Sequence, residues 1–252
     1  MINQGTLRLV VLFAGLFMAG PVLAGTCASA ATGNWNTAAT WTGCGGTGLP
    51  GNNDNVVIAA THTVTLNVNS ANIRDVTVNA NGILQGDNAG KVLTLGSGGG
   101  GTLTVNGTLN FGAGTSATLT LNRNNQWAGA GNWNFSVLDV NTRTLTFTAG
   151  TTATLNFSGA AAPISVSTGT VTSLATITWN FTGAVAQTLP TSTSVTYGAI
   201  TTNNTSGVTL GVGLTATSIL GNLTVQTGIF KNGGFANTLA AGKNFAVQGS
   251  ST

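Results

Sequence analysis

Four aspartates, one histidine and two cysteines are the side chains best suited to acid–base, nucleophilic or metal chemistry, and the chain has no glutamate. Cleaving a polysaccharide needs two carboxylates, or a carboxylate with a metal, facing one bond. Asp54 sits in the turn-forming run Leu49-Pro50-Gly51-Asn52-Asn53-Asp54-Asn55, Asp87 in Gly86-Asp87-Asn88, and Asp75 beside Arg74. Asp139 falls in Val137-Leu138-Asp139-Val140, where strand alternation turns it away from Leu138 and Val140. Arg123 or Arg143 could reach it, as an exposed ion pair that contributes under about 1 kcal/mol. His62 stands between Thr61 and Thr63 with no acid or nucleophile beside it, and reads as an exposed strand residue. Asn52, Asn53, Asp54 and Asn55 are hard oxygen donors, yet one carboxylate makes a weak calcium site and an Asx turn accounts for the same residues. No catalytic residue, metal ligand or cofactor is expected, and the chain reads as a protein other than an enzyme.

Residues 1–24 read as an export signal, with Arg8 as basic flank, an apolar stretch over residues 9–19, a break at Pro21 and a cleavage site at Val22-Leu23-Ala24. The mature chain then starts near Gly25, secreted or at the cell surface, and no later stretch could span a membrane as a helix. In such a compartment Cys27 and Cys44 can form a disulfide that closes a short loop and contributes about 3 kcal/mol; free thiols are the alternative. Within that loop lie Trp35 and Trp41. Two readings stand side by side. The indoles bury themselves as a lid, or they form a stacking platform for sugar rings.

The elements that would position these residues are strands. Residues 101–112, GTLTVNGTLNFG, alternate Leu103 and Val105 with Thr102 and Thr104, break at Asn106-Gly107, and resume with Leu109 and Phe111. Similar units recur at about 15 to 27 residues, including 63–68, 76–78, 92–95, 117–121, 135–140, 144–147, 153–157, 177–181, 195–200, 208–212 and 223–225. Glycine, asparagine and serine fill the corners. No helical period follows the signal, and the glycine run over 96–101 leads into a strand, which excludes a phosphate cradle at a helix N-terminus. The expected fold is all-β, a right-handed parallel β-helix or solenoid: an N-terminal cap over 25–60, then coils over 61–252 that read as truncated at the C-terminus. A first coil has no neighbour beneath it, so a lid over its apolar end is a physical requirement.

Gly33-Asn34-Trp35, Thr40-Trp41, Pro50-Gly51, Asp54-x-Val56-x-Ile58 and Thr63-Val64-Thr65-Leu66 together resemble the opening segment of large bacterial surface proteins, and are similar to the start of G8-type β domains. The likeness spans residues 33–68 and implies a solenoid cap without a defined catalytic residue. Residues 183–210 resemble coils repeated along bacterial adhesins of the autotransporter-passenger or haemagglutinin type.

Charged residues make up 4% of the chain while hydrophobic residues make up 42%, so it can bury a core yet must present a surface of hydroxyls and amides. Arg74, Lys91, Arg123, Arg143, Lys231 and Lys243 are scattered along the sequence, with no basic cluster for nucleic acid. The expected function is adhesin-like binding of a glycan, extracellular matrix or cell surface, as the N-terminal part of a longer solenoid. A carbohydrate-binding module or polysaccharide-active enzyme is the alternative. Thr102/Thr104, Thr118/Thr120, Thr144/Thr146/Thr148 and Thr176/Thr178 raise ice binding, against which uneven coil lengths would break the ranks.

Overall fold

The computed structural model describes residues 25–248; the export signal expected over residues 1–24 lies outside the described part. Alternation of period two commits each strand to one buried and one outward face, and three such strands per turn close a coil around an apolar interior. The result is a β-solenoid of about eight turns. A first sheet carries Thr26–Ser29, Asn55–Ile58, Asp75–Val78, Gly101–Val105, Asn125–Ala128, Thr144–Phe147, Thr170–Thr172 and Val195–Thr196 as parallel neighbours. A second sheet stacks Gly33–Asn34, Thr63–Leu66, Ile83–Gly86, Thr108–Phe111, Asn132–Phe135, Ala153–Phe157, Ile177–Phe181, Ala199–Thr209, Leu223–Lys231 and Phe245–Val247. A third, shorter sheet holds Asn72–Ile73, Lys91–Leu95, Ala117–Leu121, Val137–Asn141 and Ile164–Val166.

Parallel register converts sequence repetition into columns. On the first sheet Cys27, Val56, Val76, Leu103, Trp127 and Phe147 lie over one another. On the second, Phe111, Phe135, Phe157 and Phe181 form one inward column, and Leu109, Trp133, Leu155 and Trp179 the next. The phenyl rings of Phe135, Phe157 and Phe181 stack at 5.4 and 5.3 Å between centroids. Each such contact contributes about 0.5–1.5 kcal/mol beyond the area it buries. The coils differ in length, but the excess is held in corners, so these ladders run without a register shift.

The corner between the first two sheets shows why three successive coils carry glycine at the same position. Gly82, Gly107 and Gly131 stack so closely that a Cβ on Gly107 would collide with the carbonyl oxygens of Gly82 and Asn79, and one on Gly131 with that of Gly107. The backbone bonds Thr108 N–H to Gly82 O and Asn132 N–H to Gly107 O run through the same column.

At the N-terminal end Trp41–Thr42 pairs antiparallel with Thr26–Ser29, covering the edge of the first sheet. Cys27 and Cys44 form a disulfide, with Cα atoms 4.4 Å apart. The sheets run continuously through residue 60, since Asn55–Ile58 already pairs with Asp75–Val78 as an ordinary rung. The strands Asn125–Ala128 and Thr170–Thr172 have no counterpart in the strands expected from sequence. Gln126, Ala128 and the single inward Val171 give too little apolar alternation to stand out.

Candidate functional site

Trp35 and Trp41 are 2% and 6% exposed, pack edge to face with centroids 5.1 Å apart, and the Trp41 indole Nε1–H donates to the Trp35 carbonyl at 2.8 Å. A sugar ring stacks on an open aromatic face, and this arrangement offers none. Both indoles belong to the buried core, Trp35 with its backbone N–H on Thr65 O and Trp41 on the strand that pairs with Thr26–Ser29.

Two of the four aspartates hold turns, one bridges neighbouring coils and one faces outward. Asp54 is buried and accepts from Gly25 N–H at 2.9 Å and Gly51 N–H at 2.8 Å through its two oxygens, while Asn52 Oδ1 accepts from Asn72 N–H. Asp87 accepts from Ala89 N–H in its own turn. Asp75 accepts from both the N–H and the hydroxyl of Thr102 and pairs with Arg74 at 3.4 Å. Asp139 faces outward on the third sheet, opposite Thr120 and Ser165. Among the described residues no three histidine, cysteine or acidic side chains converge on a metal-sized point.

His62 differs from its expected place on an open strand. It is half-buried at the corner before Thr63–Leu66, with Nδ1 3.0 Å from Ser29 Oγ and 3.1 Å from Ser29 O. Ser29 is 4% exposed and its hydroxyl also accepts from Ala59 N–H, so this serine and histidine tie two coils together rather than present a nucleophile to solvent.

The feature with the extent of a binding surface is the outer side of the second sheet. Register there aligns Asn110, Asn134, Asn156 and Asn180 in one column and Thr108, Asn132, Thr154 and Thr178 in the adjacent one. Rungs in such a ladder are about 4.8 Å apart. The Asn180 side-chain amide donates to Asn156 Oδ1 at 2.8 Å, and Asn156 Nδ2 reaches the Trp133 carbonyl, so these two asparagines are held in fixed orientation. A shallow trough of about 290 Å³ runs beside them, lined by Asn132, Thr154, Asn156, Thr176 and Thr178 among others. None of these groups carries charge. The signal in sequence was the recurring apolar-Asn-Phe triplet: Leu109-Asn110-Phe111, Trp133-Asn134-Phe135, Leu155-Asn156-Phe157 and Trp179-Asn180-Phe181.

Two further features serve the interior. Gln187 and Asn204, both essentially fully buried, bond to each other at 2.9 Å and to the carbonyls of Phe157 and Val185, fastening the loop before Gln187–Thr188 onto Ala199–Thr209. An apolar cavity of about 640 Å³ lies in the last described turns between Leu214, Leu223, Phe230, Leu239 and Phe245, where Leu223 continues the inward column of Ile200.

No helix among the described residues is long and apolar enough to cross a membrane. No protein-family model matches the chain, and neither the curated proteins nor the solved structures give a match. The likeness to adhesins and G8-type domains therefore rests on the quoted residues alone.

Proposed function

We propose that this chain is a secreted or cell-surface, adhesin-like binding protein that works without catalysis. The observation that supports this reading is the uncharged, in-register array of Thr108, Asn110, Asn132, Asn134, Thr154, Asn156, Thr178 and Asn180. Hydroxyls and amides repeated on every rung can each make a weak hydrogen bond to a repetitive polar ligand, and affinity accumulates through multivalency. A neutral glycan on a cell or matrix surface has that chemistry. The disulfide fits an oxidising compartment.

The test is saturable binding of the purified chain to arrayed neutral glycans and matrix proteins, compared with an Asn132→Lys/Thr154→Lys variant. Both positions are exposed, so folding is expected to survive while the introduced charges weaken binding at least about 10-fold. Absence of saturable binding would leave a structural wall component as the reading. The threonine pairs that raise ice binding do not form one rank: Thr102/Thr104 and Thr144/Thr146 lie on the first sheet with Gln126 and Ala128 interrupting them, Thr118/Thr120 on the third and Thr178 on the second, so ice binding draws no support from the register.

A further inference from the structure

The solenoid brings together basic residues that the sequence keeps far apart. Arg74 lies between Asn72–Ile73 and Asp75–Val78, Arg123 between Ala117–Leu121 and Asn125–Ala128, and Arg143 between Val137–Asn141 and Thr144–Phe147. All three therefore occupy the same ridge, where the third sheet turns into the first. Hydrogen bonds along the ridge fix the order: Arg74 N–H donates to Asp54 O, Gly96 N–H to Ile73 O, and Thr144 N–H to the Asn124 side-chain Oδ1. With rungs about 4.8 Å apart, Arg123 and Arg143 are one rung from each other and Arg74 is two rungs from Arg123.

Arg74 is paired with Asp75, whereas Arg123 and Arg143 have no carboxylate partner among the described residues. Below the exposed Arg123 a groove of about 280 Å³ is lined by Asn52, Asn53, Asn72, Ser97 and Asn122. Ser97, one of these lining residues, is 6% exposed, and its buried hydroxyl has no protein partner. Asp54 lies on this ridge as well, but its carboxylate is buried and turned onto Gly25 and Gly51. The open charge of the ridge is thus positive, on a surface otherwise made of amides and hydroxyls.

We infer that this ridge is a binding site for an acidic polysaccharide, with Arg123 and Arg143 engaging carboxylate or sulfate groups and the asparagine-lined groove receiving the hydroxyls of a sugar ring. Guanidinium forks bind such oxyanions in two-point geometry, and the amides beside them suit neutral hydroxyls. Single-stranded nucleic acid is disfavoured because it stacks its bases on aromatic rings, and among the described residues the exposed aromatic side chains, Phe235 and Phe245, lie in the last turns instead. The ridge is a separate surface from the outer side of the second sheet, so either can fail without the other.

The test is biolayer interferometry of the full chain on immobilised polygalacturonate, heparin, neutral dextran and single-stranded DNA across a salt series. Binding to polygalacturonate or heparin is expected, weakening with salt, and the preferred surface tells carboxylate from sulfate recognition. Arg123→Gln and Arg143→Gln should each weaken it about 3- to 10-fold with unchanged thermal melts, and Lys231→Gln, which removes the same charge elsewhere, should not. Binding to neither acidic polymer, equal loss in all three variants, or stronger retention on DNA would each overturn the assignment.

Discussion

At the residue scale, buried polar side chains such as Ser29, Asp54, Gln187 and Asn204 tie coils together, and burial also acts on the one tyrosine of the chain. Tyr197 shows the consequence. Its ring packs edge to face on Trp179 at 5.3 Å, and burial pushes its phenol pKa above the ordinary value of 10.0. In the unfolded chain the phenol ionises above about pH 10 while the native one stays protonated, so the unfolded state binds fewer protons there and stability falls as pH rises. The decline attributable to this group sets in above about pH 10. Urea unfolding of wild type and Tyr197→Phe between about pH 9 and pH 11 checks it: the variant should show a shallower decline, and parallel curves would refute the linkage. Ser29 and His62 illustrate the other side. A histidine flanked by threonines gave no hint of a partner 33 residues away, since that proximity exists only once Asn55–Ile58 lies beside Thr26–Ser29.

At the element scale, the corners decide whether strands can stack. Alternation makes each segment a strand, but only the absence of a side chain at Gly82, Gly107 and Gly131 lets successive corners approach to hydrogen-bonding distance. Gly107→Ala is therefore expected to destabilise the protein by about 1–3 kcal/mol, read as a lowered urea midpoint. Gly90→Ala is a poor comparator because its φ is +67°, whereas Gly99, with open space around it and no such φ, should tolerate alanine with little change. If Gly107→Ala matched Gly99→Ala, close corner packing would not be limiting. The strand positions of residues 101–112 were legible because both halves alternate cleanly; Thr170–Thr172 was not, because a strand of three residues shows one inward side chain and no period.

At the scale of the whole molecule, a solenoid holds each coil mainly through its neighbours, so stability is distributed along its length rather than concentrated in one centre. The N-terminal coil holds the Trp35–Trp41 pair and the Cys27–Cys44 bridge, and the middle coils carry the stacked aromatic column. In the last described turns Ile229, Phe245 and Val247 are about half exposed, at 49%, 56% and 50%. Hydrogen exchange is expected to be slowest in Asn132–Phe135, Ala153–Phe157 and Ile177–Phe181 and fastest in Phe245–Val247, with protection falling coil by coil between them. A mass-spectrometric exchange profile that is uniform along the second sheet would instead indicate one all-or-none unit.

The sequence by itself determined the fold class, the corners and the weakly charged surface, because period-two alternation, Asn-Gly breaks and composition are local properties that survive without any knowledge of neighbours. It also held the apolar-Asn-Phe triplets that become the polar ladder. Only the tertiary structure decided which residues share a surface. Coil lengths vary, so the distance in sequence between stacked residues is not constant, and the register that superposes Asn134 on Asn110 or sets Arg143 beside Arg123 on one ridge emerges from hydrogen-bonded pairing between coils. The burial of Trp35 and Trp41 was settled the same way, by what packs against them, which two tryptophans in a loop do not specify on their own.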